Sequence, residues 1–324
     1  MEKRMKNIIL GSSMAAVGMG MVGAAHLATT KYLVDVALNR EAPKHTAKAG
    51  KRISGAQVDE RWMRRRAELG RRLKNMGGET VETLGRGNVK LVGHWLQAQQ
   101  PKRVVIAMHG WRSSWHQDFG FIIDFWKENG CSVLLAEQRG QGGSGGEYMG
   151  FGLLERHDCV SWAQWVNQRC GEELPIYLCG VSMGASTVLM AAGLDLPNNV
   201  RGIIADCGYT SPEAIWRHVA KDNLGVSYGV RSGAVNDLCR RRLQVGIGDY
   251  SCVDAMAECE VPVLFIHGTD DRFVPIEMTY ENFKACTAPK RLFVVPGAGH
   301  GMSYSVDTSG YQRVMKQFWE EFDS

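Results

Sequence analysis

The chain has 324 residues, 44% hydrophobic and 22% charged, with 38 Lys/Arg against 34 Asp/Glu and a formal net charge of +4. That composition excludes a disordered or low-complexity chain and leaves room for one large domain with a substantial core. It also hides an asymmetry: residues 1–75 hold sixteen Lys/Arg and six Asp/Glu, so the remainder is net acidic. No recognition motif accompanies the basic stretch, and nucleic acid is not an expected partner.

The N-terminus differs in character from the rest. Residues 8–28 carry no charge and follow a basic start containing Lys3, Arg4 and Lys6. The run is about long enough to cross a bilayer as a helix. Val22-Gly23-Ala24 also fits the spacing of a signal-peptide cleavage site, which would leave a secreted chain. An uncleaved membrane anchor over residues 1–30 is the expectation, because Tyr32–Leu38 continues the helical pattern beyond the run. A soluble helix packed on the domain is the remaining alternative. Residues 31–78 follow as a basic linking or helical region. The run Arg61, Arg64, Arg65, Arg66, Arg71, Arg72 and Lys74 reads as an exposed amphipathic helix with Trp62 and Leu69 turned inward, its charge available to anionic lipid. The side of the membrane stays open, since basic residues flank the apolar segment on both sides. Nine cysteines, with no CxxC pair, favour a reducing environment; Cys131, Cys179 and Cys207 read as small buried hydrophobes.

From about residue 79 the pattern becomes regular. Apolar runs predict strands at 89–96, 103–108, 132–137, 176–181, 202–207, 262–267 and 291–295. Helical spacing covers 118–129, 153–169, 183–194, 275–286 and 310–322. Such alternation implies an α/β domain over 79–324, with a mostly parallel sheet covered on both faces. Between Thr210 and Glu260 no strand is expected, only helical fragments around Ile215, Trp216, Val219, Leu224, Leu238 and Leu243; Arg240–Arg242 within it reads as a solvated face.

Residues 176–190 place Gly180-Val181-Ser182-Met183-Gly184 between a strand and a helix. A nucleophilic serine must stand on a sharp turn there, and the flanking glycines leave room where a Cβ would collide. The helix N-terminus that follows favours negative charge developing beside Ser182. Such a serine needs a histidine base and a carboxylate to orient it. Downstream, 261–275 is a strand breaking into a loop with Asp270 and Asp271, and 291–301 is a strand ending in the glycine-flanked His300. The order serine, acid, histidine is that of an α/β-hydrolase. Upstream, 103–111 is a strand ending in His109-Gly110-Trp111. In that arrangement the backbone N–H groups of Trp111 and Met183 are the candidate oxyanion donors. His109 reads as a turn-shaping residue, His157, His218 and His267 as structural, and Met302 and Tyr304 as packing around His300. No dinucleotide fingerprint, phosphate loop or metal cluster is visible, and the mechanism requires no cofactor.

Five stretches carry a family likeness: 135–146 (Leu-Ala-Glu-Gln-Arg-Gly-Gln-Gly-Gly-Ser-Gly-Gly), 151–158, the serine elbow, His-Gly-Thr-Asp-Asp-Arg-Phe-Val-Pro (267–275) and Gly-Ala-Gly-His-Gly-Met-Ser-Tyr (297–304). From about Val81 to its end the chain resembles the α/β-hydrolase superfamily, and within it bacterial serine-aminopeptidase-like and BAAT-like hydrolases. The resemblance implies that Asp271, rather than Asp270, is the acid, and that 210–260 forms a small helical cap over the nucleophile. Glu137 and Gln141 stand where relatives usually carry Asp and His, a departure bearing on substrate choice. The implied activity is cleavage of an ester, thioester, amide or peptide bond through Ser182, Asp271 and His300 and an acyl-enzyme, on a small-molecule or peptide acyl substrate. An acyltransferase and a non-catalytic binding module are the alternatives. Because every group invoked lies beyond Val104, a chain starting near Lys51 is expected to stay active.

Overall fold

The computed structural model describes residues 25–43 and 59–323. Eight strands form one sheet: β1 (Glu79–Gly85), β2 (Val89–Leu96), β3 (Arg103–Met108), β4 (Cys131–Glu137), β5 (Ile176–Val181), β6 (Val200–Asp206), β7 (Val263–Gly268) and β8 (Lys290–Val295). Their spatial order is β1-β2-β4-β3-β5-β6-β7-β8. β1 and β2 are antiparallel to their neighbours, and every pairing from β4 to β8 is parallel. β3 is buried at every position and β5 at all but its last, as a strand covered on both faces must be.

The helices are α1 (25–38), α2 (Glu60–Lys74), α3 (Trp115–Phe119), α4 (Ile123–Glu128), α5 (Glu155–Cys170), α6 (Met183–Ala191), α7 (Pro212–His218), α8 (Ser232–Leu243), α9 (Cys252–Ala257), α10 (Ile276–Ala285), α11 (Ser303–Val306) and α12 (Thr308–Phe322). Alternate strand residues feed two cores. Ile106 and Leu178 join Trp162 of α5 and Val188 of α6 on one face. Val105 and Tyr177 meet Trp126 of α4 and Phe318 of α12 on the other.

Two local readings change. β1 carries no strong apolar signal, because only Val81 and Gly85 of its seven residues are buried at the sheet edge. The helix expected over 118–129 is broken in two at Gly120, whose backbone packs so closely on Leu69 and Gly70 of α2 that a Cβ would not fit.

Between β6 and β7 the chain holds α7, a π-helical turn (Val219–Asn223), a short 3-10 turn (Gly229–Arg231), α8 and α9, with no strand. Ser211 caps α7 by accepting a hydrogen bond from the Ala214 amide at 3.0 Å, the side-chain cap that satisfies an orphan donor at a helix start. Arg242 of α8 is not solvated: it pairs with Asp35 of α1 at 2.5 Å, both side chains largely buried.

Within residues 31–78, expected as a basic linking or helical region, most of α1 and all of α2 pack on the domain. Val34 and Leu38 of α1 are fully buried. The chain beyond α1 is fixed by backbone bonds from Met149 to Leu38 (2.7 Å) and from Arg40 to Glu147 (2.8 Å). On α2, Leu69 and Leu73 face inward, and Trp62 donates to Ser305 Oγ at 3.0 Å. The proposed anchor, residues 8–28, lies outside the described residues apart from its last four positions. Among the described residues no helix is long and apolar enough to cross a membrane. All nine cysteines are free, and Cys131, Cys179 and Cys207 are buried.

Candidate active site

Ser182 sits alone between the end of β5 and the start of α6 with φ 58° and ψ −119°, a conformation that strains any residue with a Cβ. The surroundings enforce it. The Ser182 amide donates to the Asp206 carbonyl at 2.9 Å. A Cβ on Gly184 would strike the Met108 carbonyl, and one on Gly180 the backbone of Gly184. The elbow can therefore press against the end of β3 only with glycine at both places.

Asp271 lies in the loop after β7, its side chain fully buried. Its Oδ1 accepts the Phe273 and Val274 amides, each at 2.9 Å. His300, in the loop after β8, brings Nδ1 to 2.6 Å from Asp271 Oδ2 and Nε2 to 2.9 Å from Ser182 Oγ. The neighbouring Asp270 is exposed and accepts from the Thr269 hydroxyl instead. Burial alone would raise the Asp271 carboxyl, but the His300 charge and the hydrogen bonds from His267 and His300 hold it far below the usual carboxylate range. Burial would likewise lower His300, yet Asp271 raises it well above 6.5. An ionised acid beside a strengthened base is the arrangement that orients an imidazole towards a serine proton.

The loop after β3 passes over the serine, since a Cβ on Gly110 would lie 3.4 Å from Ser182 Cβ. Gly110 N–H is taken by Asp118 at 2.7 Å. Among the described residues neither Trp111 nor Met183, the first residue of α6, has a partner for its amide. His109 is buried and lies 2.8 Å from the Gly110 carbonyl through Nδ1, a turn-shaping position. Glu137 contacts His94 at 2.7 Å, and Arg139, in the same turn, is paired with buried Asp158. Neither Glu137 nor Gln141 lines the spaces described next.

Ser182, His300 and Trp111 border one cleft of about 700 Å³, with Asp59, Trp62 and Arg66 of the α2 region on its rim. A second space of about 100 Å³, almost wholly apolar, lies under the helices between β6 and β7. Val36, Trp111 and Phe273 border both spaces. Four participants escape a motif reading. His267 reaches within 3.2 Å of Asp271. The Phe273 ring lies 4.9 Å from that of His300, edge to face. Cys207 has φ 51° and a thiol pushed by burial up to about 11, with His300 opposing. The fourth is α1 itself. Cys207, Asp271 and His300 place three potential ligand atoms within 4.8 Å of one another, but the Asp271–His300 hydrogen bond already occupies two of the three.

The sheet order, its antiparallel leading strands, and an elbow after β5 lying against the loop from β3 decide the fold. Its fold is that of the α/β-hydrolases. The family model described as serine aminopeptidase, S33, matches residues 99–221 of the chain. An uncharacterised protein of Bacillus subtilis, YqkD, is 27% identical over 198 residues, 60% of this chain and 64% of that one. An uncharacterised protein of Mycobacterium tuberculosis is 30% identical over 174 residues, 53% of each chain. The match thus spans less than two thirds of either relative. A solved esterase from Pyrococcus furiosus superposes with a TM-score of 0.63 at 20% identity, over 83% of this chain and 97% of that one. At that identity the likeness speaks for the fold.

Proposed function

We propose that the protein is a serine hydrolase acting on a small acyl substrate, an ester before a thioester, amide or peptide. The observation that carries the reading is the unbroken hydrogen-bonded line from Asp271 through His300 to Ser182, at 2.6 and 2.9 Å. In this mechanism Ser182 Oγ attacks the carbonyl carbon while His300 Nε2 takes its proton. Asp271 keeps the proton of His300 on Nδ1 and stabilises the imidazolium. Negative charge on the former carbonyl oxygen meets the Trp111 and Met183 amides. His300 then protonates the leaving group, the acyl group stays on Ser182, and water attacks by the same route in reverse.

The reading is tested by presenting p-nitrophenyl esters, acyl-CoAs and aminoacyl anilides to the protein and to Ser182→Ala. Turnover confined to the unmutated chain, lost by about 10³-fold or more in the variant, supports hydrolysis. Product that forms only when a second acceptor is added points to acyl transfer. Equal turnover by both proteins sinks the assignment.

Membrane attachment through residues 8–28 belongs to the same proposal, supported by the length of the uncharged run. Full-length protein is expected to sediment with membranes and to resist carbonate and high salt. Recovery in the soluble fraction without detergent contradicts it.

A further inference from the structure

The loop carrying the proposed oxyanion donor is gripped from outside the sheet. Trp111 Nε1 donates to the Ala37 carbonyl at 2.9 Å. The Arg112 guanidinium donates to the carbonyls of Val36 (2.8 and 3.2 Å), Asn39 (2.6 Å) and Arg40 (3.2 Å). These carbonyls close α1 and would otherwise lack donors, and a cation at a helix C-terminus is well placed electrostatically. Among the described residues no carboxylate pairs with Arg112. Its backbone also holds a left-handed φ of 50°, immediately after Trp111. From the opposite side Arg66 of α2 pairs with Asp118 at 2.5 Å, and Asp118 holds the Gly110 amide at 2.7 Å. Arg66, expected on a solvated face, is therefore a partly buried strut.

α1 also walls the apolar chamber beside the cleft. Leu33 and Ala37 line it from one side, Trp216 and Val219 from the other, with Trp111 and Phe273 at the junction next to His300. A cavity of about 150 Å³ with such a lining holds benzene; about 100 Å³ holds, on the same scale, roughly four carbons.

We propose that α1 is a working wall of the site, fixing the oxyanion loop from behind and closing an acyl chamber that selects short, straight aliphatic acyl groups. The inference rests on the serine-hydrolase reading above. With the ester carbonyl over Ser182, the first two carbons of the acyl group lie in the cleft and the next four enter the chamber. It also revises the expectation for a chain starting near Lys51: that chain keeps Ser182, Asp271 and His300 but loses the carbonyls that hold Trp111 and Arg112.

The test is a chain-length series of p-nitrophenyl esters, acetyl to dodecanoyl, on the full-length protein. kcat/KM rises by up to about fourfold per methylene as far as hexanoyl and falls by dodecanoyl. Ala37→Leu fills the chamber and lowers the hexanoyl-to-acetyl ratio by about tenfold or more. Leu33→Ala enlarges it and moves the optimum towards octanoyl. Tyr32→Ser, at a position 39% exposed on the same helix and lining neither space, keeps the unmutated profile. If Ala37→Leu does not fold, the opposite shift in Leu33→Ala decides. Unchanged profiles in both chamber variants, with turnover still dependent on Ser182, overturn this inference alone. Absence of ester turnover by the unmutated protein overturns the hydrolase reading and this inference with it.

Discussion

The strand-end loops and the N-terminal helices meet at one cleft but come to it by different physics. Ser182, Asp271 and His300 are positioned by the sheet: each follows the carboxyl end of a parallel strand, where chemistry collects in open α/β folds. α1 and α2 precede the sheet and reach the same place through long side chains, Arg242 to Asp35, Arg112 to the end of α1, and Arg66 to Asp118. The first group does the chemistry proposed here. The second holds the walls against which it happens.

The largest separation between the two regions should appear at the acid. Asp271→Asn is expected to lower turnover by about 10⁴-fold, because the histidine loses its orienting carboxylate. Asp270→Asn should change it little, since among the described residues that exposed side chain bonds only Thr269. Steady-state kinetics on one ester decides, and a reversed order would move the acid by one position.

A smaller loss is expected from the supporting region. Arg112→Gln should lower kcat for the acetyl ester by about 10- to 100-fold with KM little changed, as displaced transition-state donors do. Arg112→Lys should recover part of it. A lower melting temperature with unaltered kcat would show that Arg112 only stabilises the fold.

The first region was legible because its chemistry is local. An elbow needs glycine at fixed offsets, and an apolar run predicts a strand whichever strand it pairs with. The choice between Asp270 and Asp271 came from family likeness, and its physical basis, the two amides folded onto Asp271 Oδ1, is a feature of the loop's conformation. The second region was legible only in part: the helix with Leu69 turned inward was expected, but what it and α1 hold was not. Val34 and Leu38 of α1 continue a run of apolar residues whose composition fits a membrane span as readily as a docked helix. Arg66 reads as surface charge because its partner, Asp118, lies some fifty residues away in sequence. No periodicity records a bond between Arg112 and a carbonyl more than seventy residues earlier. Glu79–Gly85 was missed for a related reason: an edge strand buries too little to alternate clearly.

The smallest expected effect concerns pH. His300 must be neutral to accept the serine proton, and Asp271 raises its pKa well above 6.5. The rising limb of kcat/KM should therefore lie above the ordinary histidine range. In Asp271→Asn the residual activity should show that limb displaced to lower pH, because burial then acts on His300 without the carboxylate. An unmoved limb would mean that another group titrates.

The most direct measurement is covalent. A fluorophosphonate probe reacts quickly only with an activated serine, so peptide mass spectrometry of labelled protein should find one adduct, on Ser182. Labelling should vanish in Ser182→Ala while the fold is retained. An adduct on another serine such as Ser186, or labelling that persists in the variant, would contradict the account.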